Sequence, residues 1–210
     1  MLQLRKAAVY TSPIGRPSPA PLDPLTLQAG RRAFARYGYR DATLERIAEE
    51  AGLSRVTLHR RGVTKAGILE ALAAEGTDRY RARLWPALTA SGPAAERLRT
   101  ALTALCEAAE DDMELLLALR SQSDRVFHDD EPDEALTRSV FTEPLERILR
   151  DGQADGTLRA DDAEETATVL FNLVGWTYLH LRTGHRWAAD RARPAVVDIA
   201  LGGVVSRRDA

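Results

Sequence analysis

Apolar residues recur along this chain at three- and four-residue spacing and almost never alternate, which predicts helices throughout and almost no sheet. Up to about residue 22 there is no period. Pro13, Pro17, Pro19 and Pro21 stand among Ser, Thr and Gly there, and the segment reads as a flexible arm. The helical pattern begins where Asp23 can cap and Pro24 takes the first helical position, with Leu27, Gly30, Arg31, Phe34 and Tyr37 marking a helix that ends near Gly38. A short second helix starts from Thr43, gathers Leu44, Ile47, Ala48 and Ala51 on one face, and breaks at Gly52. Ser54 starts a third, Arg55 to about Arg61, in which Leu58 points back toward the first two and the other faces are polar or basic. Thr64 caps a fourth, whose Ile68, Leu69, Leu72 and Ala73 lead through Tyr80, Leu84 and Trp85 to Pro86. Beyond Ser91-Gly92-Pro93, helices are expected at about 94–109, 112–127, 133–151, 161–183 and 191–206, with turn residues at 128–132 and 151–159.

The second and third helices, joined by the turn Ala51-Gly52-Leu53, meet the physical needs of a helix-turn-helix. Leu44, Ile47, Ala48, Leu53 and Leu58 supply a small core, and Gly52 tolerates the positive φ of a sharp turn. The outward face of the third helix is then available to a major groove. The expected fold class is all-α: an arm at 1–22, an N-terminal three-helix helix-turn-helix DNA-binding domain at 23–65, and a helical body at 66–210.

Charge sharpens this division. The net charge is only -2, yet residues 1–65 hold twelve Lys or Arg against five Asp or Glu. A basic N-terminal part on an acidic body suggests that one end approaches a polyanion. Arg5, Lys6 and Arg16 offer a supplementary DNA contact from the arm, against the plainer reading of a solvated tail. No apolar run reaches the roughly 18 to 20 residues of a membrane helix and no secretory signal is evident, so the expected location is the cytoplasm, with no membrane partner. Cys106 is the only cysteine, which leaves no intrachain disulfide or cysteine metal cluster, and its neighbours Leu102, Leu105 and Ala109 mark it as a small buried hydrophobe.

Residues 23–72 resemble the DNA-binding domain of the TetR family. The resemblance is carried by Ala33-Phe34 before Tyr37-Gly38-Tyr39, then Ala42-Thr43-Leu44-Glu45-Arg46-Ile47-Ala48, Ala51-Gly52-Leu53-Ser54, Val56-Thr57-Leu58 and Lys65. It implies that Thr43 touches phosphate, that Arg55, Val56 and Thr57 face the groove, that His59 stands where tyrosine is usual, and that Lys65 anchors a phosphate. Arg60 and Arg61 would meet backbone phosphates. One departure stands out: Arg61-Gly62 replaces the usual His-Phe, so an aromatic plug is missing, with Val63 and a left-handed Gly62 as the available substitutes.

In the body, helices 161–183 and 191–206 resemble the pair that dimerises in this family, and Phe171, Val174, Tyr178, Val197, Leu201 and Val204 are the expected interface. Asp161 and Glu164 have capping-box spacing at the start of the first of them. The family also implies a pocket for a small-molecule effector, for which Trp85, Leu105, Leu116, Phe127, Phe141, Trp176 and Tyr178 are candidates, each of which also reads as ordinary core. A homodimer that binds a palindrome in double-stranded DNA as a ligand-responsive repressor is the reading that results; activation is not excluded.

No catalytic constellation converges and no cofactor is implied. His180 and His185 near Asp190 straddle a helix end without the spacing of metal ligands, and Glu110, Asp111 and Asp112 read as a solvated helix junction. The rival reading is a helical ligand-binding or interaction protein whose helix-turn-helix no longer reads DNA.

Overall fold

A computed structural model describes residues 22–120 and 139–206. Among these residues there are nine helices and no strand: α1 (Pro24–Asp41), α2 (Leu44–Ala51), α3 (Arg55–Arg60), α4 (Lys65–Thr89), α5 (Ala94–Asp111), α6 (Met113–Ala118), α7 (Ser139–Asp155), α8 (Ala163–Thr183) and α9 (Ala189–Val204). None of them is long and apolar enough to cross a membrane. Residues 1–21 of the arm, and 121–138 with Phe127, lie outside the described residues.

The helix starts are set by side chains that satisfy orphan backbone N–H groups. Asp23 accepts from the Thr26 N–H, Thr43 from Arg46, Ser54 from Thr57 and Thr64 from Gly67. Asp162, not Asp161, caps α8, accepting from Glu164 and Glu165. At α5, whose flanking Pro93 has no capping side chain, Asp155 reaches over from α7 and accepts from the Ala94 N–H at 2.9 Å. Several helices differ in extent from the sequence expectation, α6 among them, which ends at Ala118. α4 runs past Pro86 to Thr89, α7 continues to Asp155, and α9 begins at Ala189 with Pro194 inside it. α1 turns sharply at Gly38, where φ is 71° and ψ 160°, and adds a last turn to Asp41.

Two hydrophobic cores result. The first joins Leu27, Phe34, Tyr39, Ile47, Leu58 and Val63 to Ile68, Leu69 and Leu72 of α4, and receives Leu115 and Leu119 from α6 and the residue after it. The second joins Tyr80 and Leu84 of α4 to α5, α7, α8 and α9. Thus α4 belongs to both units, and the first core extends beyond residue 65. At the crossing of α1 and α4, Gly30 lets the backbones approach so closely that a Cβ there would lie 2.3 Å from the Ile68 Cγ2.

A candidate DNA-binding face and a candidate effector cavity

Each end of α2 and α3 is locked, so the faces they present are fixed. After α2, Gly52 adopts φ 66° and ψ 28°, and the Leu53 N–H bonds back to the Ala48 carbonyl at 2.9 Å. After α3 the same closure recurs. The Gly62 N–H donates to the His59 carbonyl at 3.0 Å and the Val63 N–H to the Leu58 carbonyl at 3.1 Å, with Gly62 at φ 69°. Val63 is buried in the first core together with Leu58. The missing aromatic plug is therefore replaced by a glycine-closed turn that seats a valine.

With Leu58 fully buried beneath it, α3 exposes Arg55, Val56, His59 and Arg60, and the exposed Arg61 follows. Val56 is 66% exposed. The Arg55 Nε lies 2.9 Å from the Glu45 Oε1 on α2, and the Arg61 Nη1 lies 3.1 Å from the Asp23 Oδ2 at the start of α1. Glu45 and Asp23 are both held below the usual carboxylate range. For Glu45 the leading cause is a hydrogen bond with its own backbone N–H, and for Asp23 it is the Thr26 hydroxyl. Thr43 is exposed while its Oγ1 accepts from the Arg46 N–H at 3.3 Å. Thr57 is half-buried, its hydroxyl 2.9 Å from that of Ser54.

Lys65 has a different immediate role from phosphate anchoring. Its Nζ donates to the Tyr39 and Arg40 carbonyls at 2.9 and 3.1 Å and lies 4.6 Å from the Tyr39 ring centre. The ammonium is drawn inward because the last carbonyls of α1 need donors, and it thereby ties α1 to the start of α4.

In the body, a cavity of ≈ 100 Å³ lies between α4, α5, α6, α7 and α8. Of the candidate pocket residues, Leu105, Leu116, Phe141 and Trp176 border it. Trp85 and Tyr178 do not. Trp85 is 64% exposed, because its neighbour Leu84 takes the inward position on α4. Tyr178 is fully buried, but its hydroxyl donates to the Glu110 Oε2 at 2.6 Å; burial, helped by that bond, pushes its pKa up to about 12. Phe127 lies outside the described residues. Sequence reasoning missed Gly76, Thr77, Tyr80 and Asp112, which also border the cavity. A polar residue one helical turn from apolar ones gave no signal of facing inward.

The acidic run at the junction of α5 and α6 is ion-paired, with Asp112 the residue most withdrawn from solvent. Glu110 pairs with Arg182 of α8 at 2.6 Å and Asp111 with Arg83 of α4. Asp112 pairs with Arg31 of α1 and with Arg79 of α4, both at 2.7 Å. Burial alone would raise the Asp112 carboxyl, yet the hydrogen bonds from Arg79 and Arg31 outweigh it and hold its pKa below the ordinary value of 3.8.

The residues expected at a dimer interface lie in the protomer's own core. Phe171, Val174, Tyr178, Val197, Leu201 and Val204 are all buried within the one chain. Helices α8 and α9 are apolar on more than one face, so periodicity did not tell inward from outward. The outward stripe carries Val169 and Leu173 of α8 and Ile199 of α9, which are 56%, 43% and 75% exposed. Beside Ile199, Gly202 and Gly203 are exposed and have no atom within 4 Å of an added Cβ.

Cys106 is fully buried in the second core, and burial pushes its thiol up to about 12, as befits a packing residue. Among the described residues no cluster of three or more His, Cys, Asp or Glu is placed to hold a metal; the His180 and His185 rings meet edge to face at 5.0 Å.

A small helix-turn-helix head on a helical body with an apolar cavity defines the class of two-domain, helical, DNA-binding regulators. Residues 27–72 match the family model for bacterial regulatory proteins of the tetR family, and residues 91–204 match that for the tetracyclin repressor-like C-terminal domain. The chain belongs to the TetR family of transcriptional regulators, in which repression and response to a ligand are typical. No match is found among curated proteins. Solved structures with the same fold include the transcriptional regulator FadR from Bacillus subtilis in complex with stearoyl-CoA, with 17% identity over 85% of this chain and 97% of that one and a TM-score of 0.68. The regulator PfmR from Thermus thermophilus is 22% identical over 86% of this chain and 98% of that one, with a TM-score of 0.68. The ketosteroid regulator KstR2 of Mycobacterium tuberculosis is 20% identical over 87% and 94%, with a TM-score of 0.65. The family and these neighbours are transcription regulators, not enzymes.

Proposed function

We propose that this chain, in the cytoplasm, binds a two-fold symmetric site in double-stranded DNA as a homodimer, represses from it, and is released when a small apolar molecule fills the cavity. The observation that carries the DNA reading is α3: one fully buried leucine and two glycine-closed turns hold it rigidly, while its basic residues project. In a major groove, Arg55 donates to a guanine edge and Val56 meets a thymine methyl, with His59 beside them, while Arg60, Arg61 and the Thr43 hydroxyl meet backbone phosphates. Thr57 serves as a cap first and a DNA contact second. Glu45 meets the Arg55 guanidinium at Nε, and Arg55 remains exposed, as a bidentate contact to a base requires.

Dimerisation has a physical reason, since one short recognition helix reads too few base pairs to single out a site in a genome. The exposed stripe of Val169, Leu173 and Ile199, with two glycines that permit close backbone approach, is the surface that supports it. The effector reading is supported by the cavity lining, which is chiefly Leu, Ala and aromatic side chains. Space of this order accepts a small ring or a short alkyl segment, and the stearoyl chain of the Bacillus subtilis FadR ligand is of that apolar character. Release follows by linkage: a ligand that binds the DNA-incompetent arrangement tenfold more tightly shifts the equilibrium by about 1.4 kcal/mol per site.

The reading is tested by comparing Arg55→Ala with the parent on the operator and on random DNA. The expected result is a loss of roughly 1 to 3 kcal/mol on the operator and a much smaller loss on random DNA. Equal losses on both would remove Arg55 as a base reader.

A further inference from the structure

Asp112 borders the cavity and is the charged side chain among its described lining residues. Its Oδ1 accepts from the Arg31 Nη1 and the Arg79 Nη2, both at 2.7 Å, and its Oδ2 accepts from the Arg79 Nη2 at 2.8 Å. A carboxylate has about four acceptor positions, so Oδ2 keeps one. That oxygen is reached across Gly76, which also borders the cavity: a Cβ placed on Gly76 would lie 3.6 Å from Oδ2. The hydroxyls of Thr77 and Tyr80 already donate to the Ala73 and Phe141 carbonyls, at 2.8 Å each, and so offer the cavity only acceptor oxygen.

From this we infer that the cavity selects apolar molecules that end in a hydrogen-bond donor, a hydroxyl or an ammonium, over those that end in a carboxylate, and that Asp112 makes the distinction. The inference rests on the reading of the cavity as the effector site. A donor seated on Oδ2 makes a charge-assisted bond out of water. A carboxylate in the same place meets a like charge at low dielectric, finds neither hydroxyl ready to donate, and finds the Arg79 Nη2, 3.8 Å from the same Cβ position on Gly76, already bonded to both Asp112 oxygens. The surrounding cluster of Arg31, Arg79, Glu75 and Asp112 is neutral in sum, so an ammonium is not repelled by its net charge. Because the same carboxylate holds Arg31 of α1 through Oδ1, a ligand donor on Oδ2 draws on the charge that ties the DNA-binding head to the body.

The test is isothermal calorimetry of the full chain with octanol, octylamine and octanoate at neutral pH, with benzene as a probe of the cavity alone. Octanol and octylamine are expected to bind at least about tenfold more tightly than octanoate, since a hydrogen bond to a charged group is worth that much. Asp112→Asn is expected to abolish or invert the preference, since it leaves Arg31 and Arg79 with Glu75 alone. Gly76→Ala is a second variant that leaves the ion pairs intact. Its methyl makes ordinary contact with Oδ2, suits a helix interior, and is expected to reduce the preference by blocking the approach. Equal or tighter binding of octanoate to the parent chain overturns the donor preference while leaving the cavity as an effector site. A preference that survives both substitutions overturns the role of Asp112. If benzene and all three octyl compounds fail to bind, the cavity reading falls and the preference with it.

Discussion

Glu110, Asp111 and Asp112 stand side by side, yet each reaches a different partner, in Arg182, Arg83 and the pair Arg31 and Arg79. Their identity as a polar helix end was legible in the sequence. Their partners were not, because Arg31 and Arg182 lie 81 and 72 positions away from Asp112 and Glu110 and no local spacing connects them. Asp112 has the larger consequence. With its pKa lowered in the folded chain, the unfolded chain takes up the proton more readily, so its contribution to stability is full above about pH 4 and is lost as pH falls through the lowered value. Denaturant titrations over an acidic pH series should therefore show Asp112→Asn with a flatter decline than the parent. At neutral pH the same variant should be less stable by roughly 1 to 3 kcal/mol, having left two partly buried arginines short of an acceptor. An unchanged acid profile would mean that Asp112 contributes no pH-linked stability. Arg55 and Glu45 are a second pair not foreseen: both residues lie within the stretch that resembles the family, but only the fold brings α2 and α3 close enough for the contact.

At the scale of the element, capping residues and glycines were the most readable features. Thr43, Ser54, Thr64, Gly52 and Gly62 each end or begin a helix as their chemistry requires. Gly62 is the instructive case, for a position that departs from the family pattern is resolved by a left-handed glycine and a buried Val63. Gly62→Ala should cost about 1 to 2 kcal/mol through the positive φ alone, measurable as a lower melting temperature with the helical circular dichroism retained. Gly30→Ala should act by another route. Its methyl would collide with Ile68, forcing α1 and α4 apart, and should weaken DNA binding as well as stability. What the pattern did not reveal was the inward face of α8 and α9. Where a helix is apolar over most of its circumference, its period gives no direction, and only packing against α5 and α7 picks Val174 and Leu201 for the interior and leaves Leu173 and Ile199 outside.

Over the whole molecule, α4 runs through both cores, α6 lodges Leu115 in the head, and Asp112 clamps α1 beside the cavity. Head and body are thus mechanically continuous, and filling the cavity has a short path to α1. The second copy is expected on the outer stripe. Ile199→Glu should give a folded monomer by light scattering with weakened operator binding, whereas Val197→Glu should unfold the chain, since Val197 is only 1% exposed. A dimer that persists in Ile199→Glu would move the interface elsewhere. The most direct test of DNA reading by α3 is footprinting of the DNA upstream of the chain's own gene across a salt series. Two protected half-sites related by symmetry about one helical turn apart, or a multiple of it, with affinity falling steeply as salt rises, are predicted; weak protection indifferent to sequence would contradict the claim that α3 reads DNA.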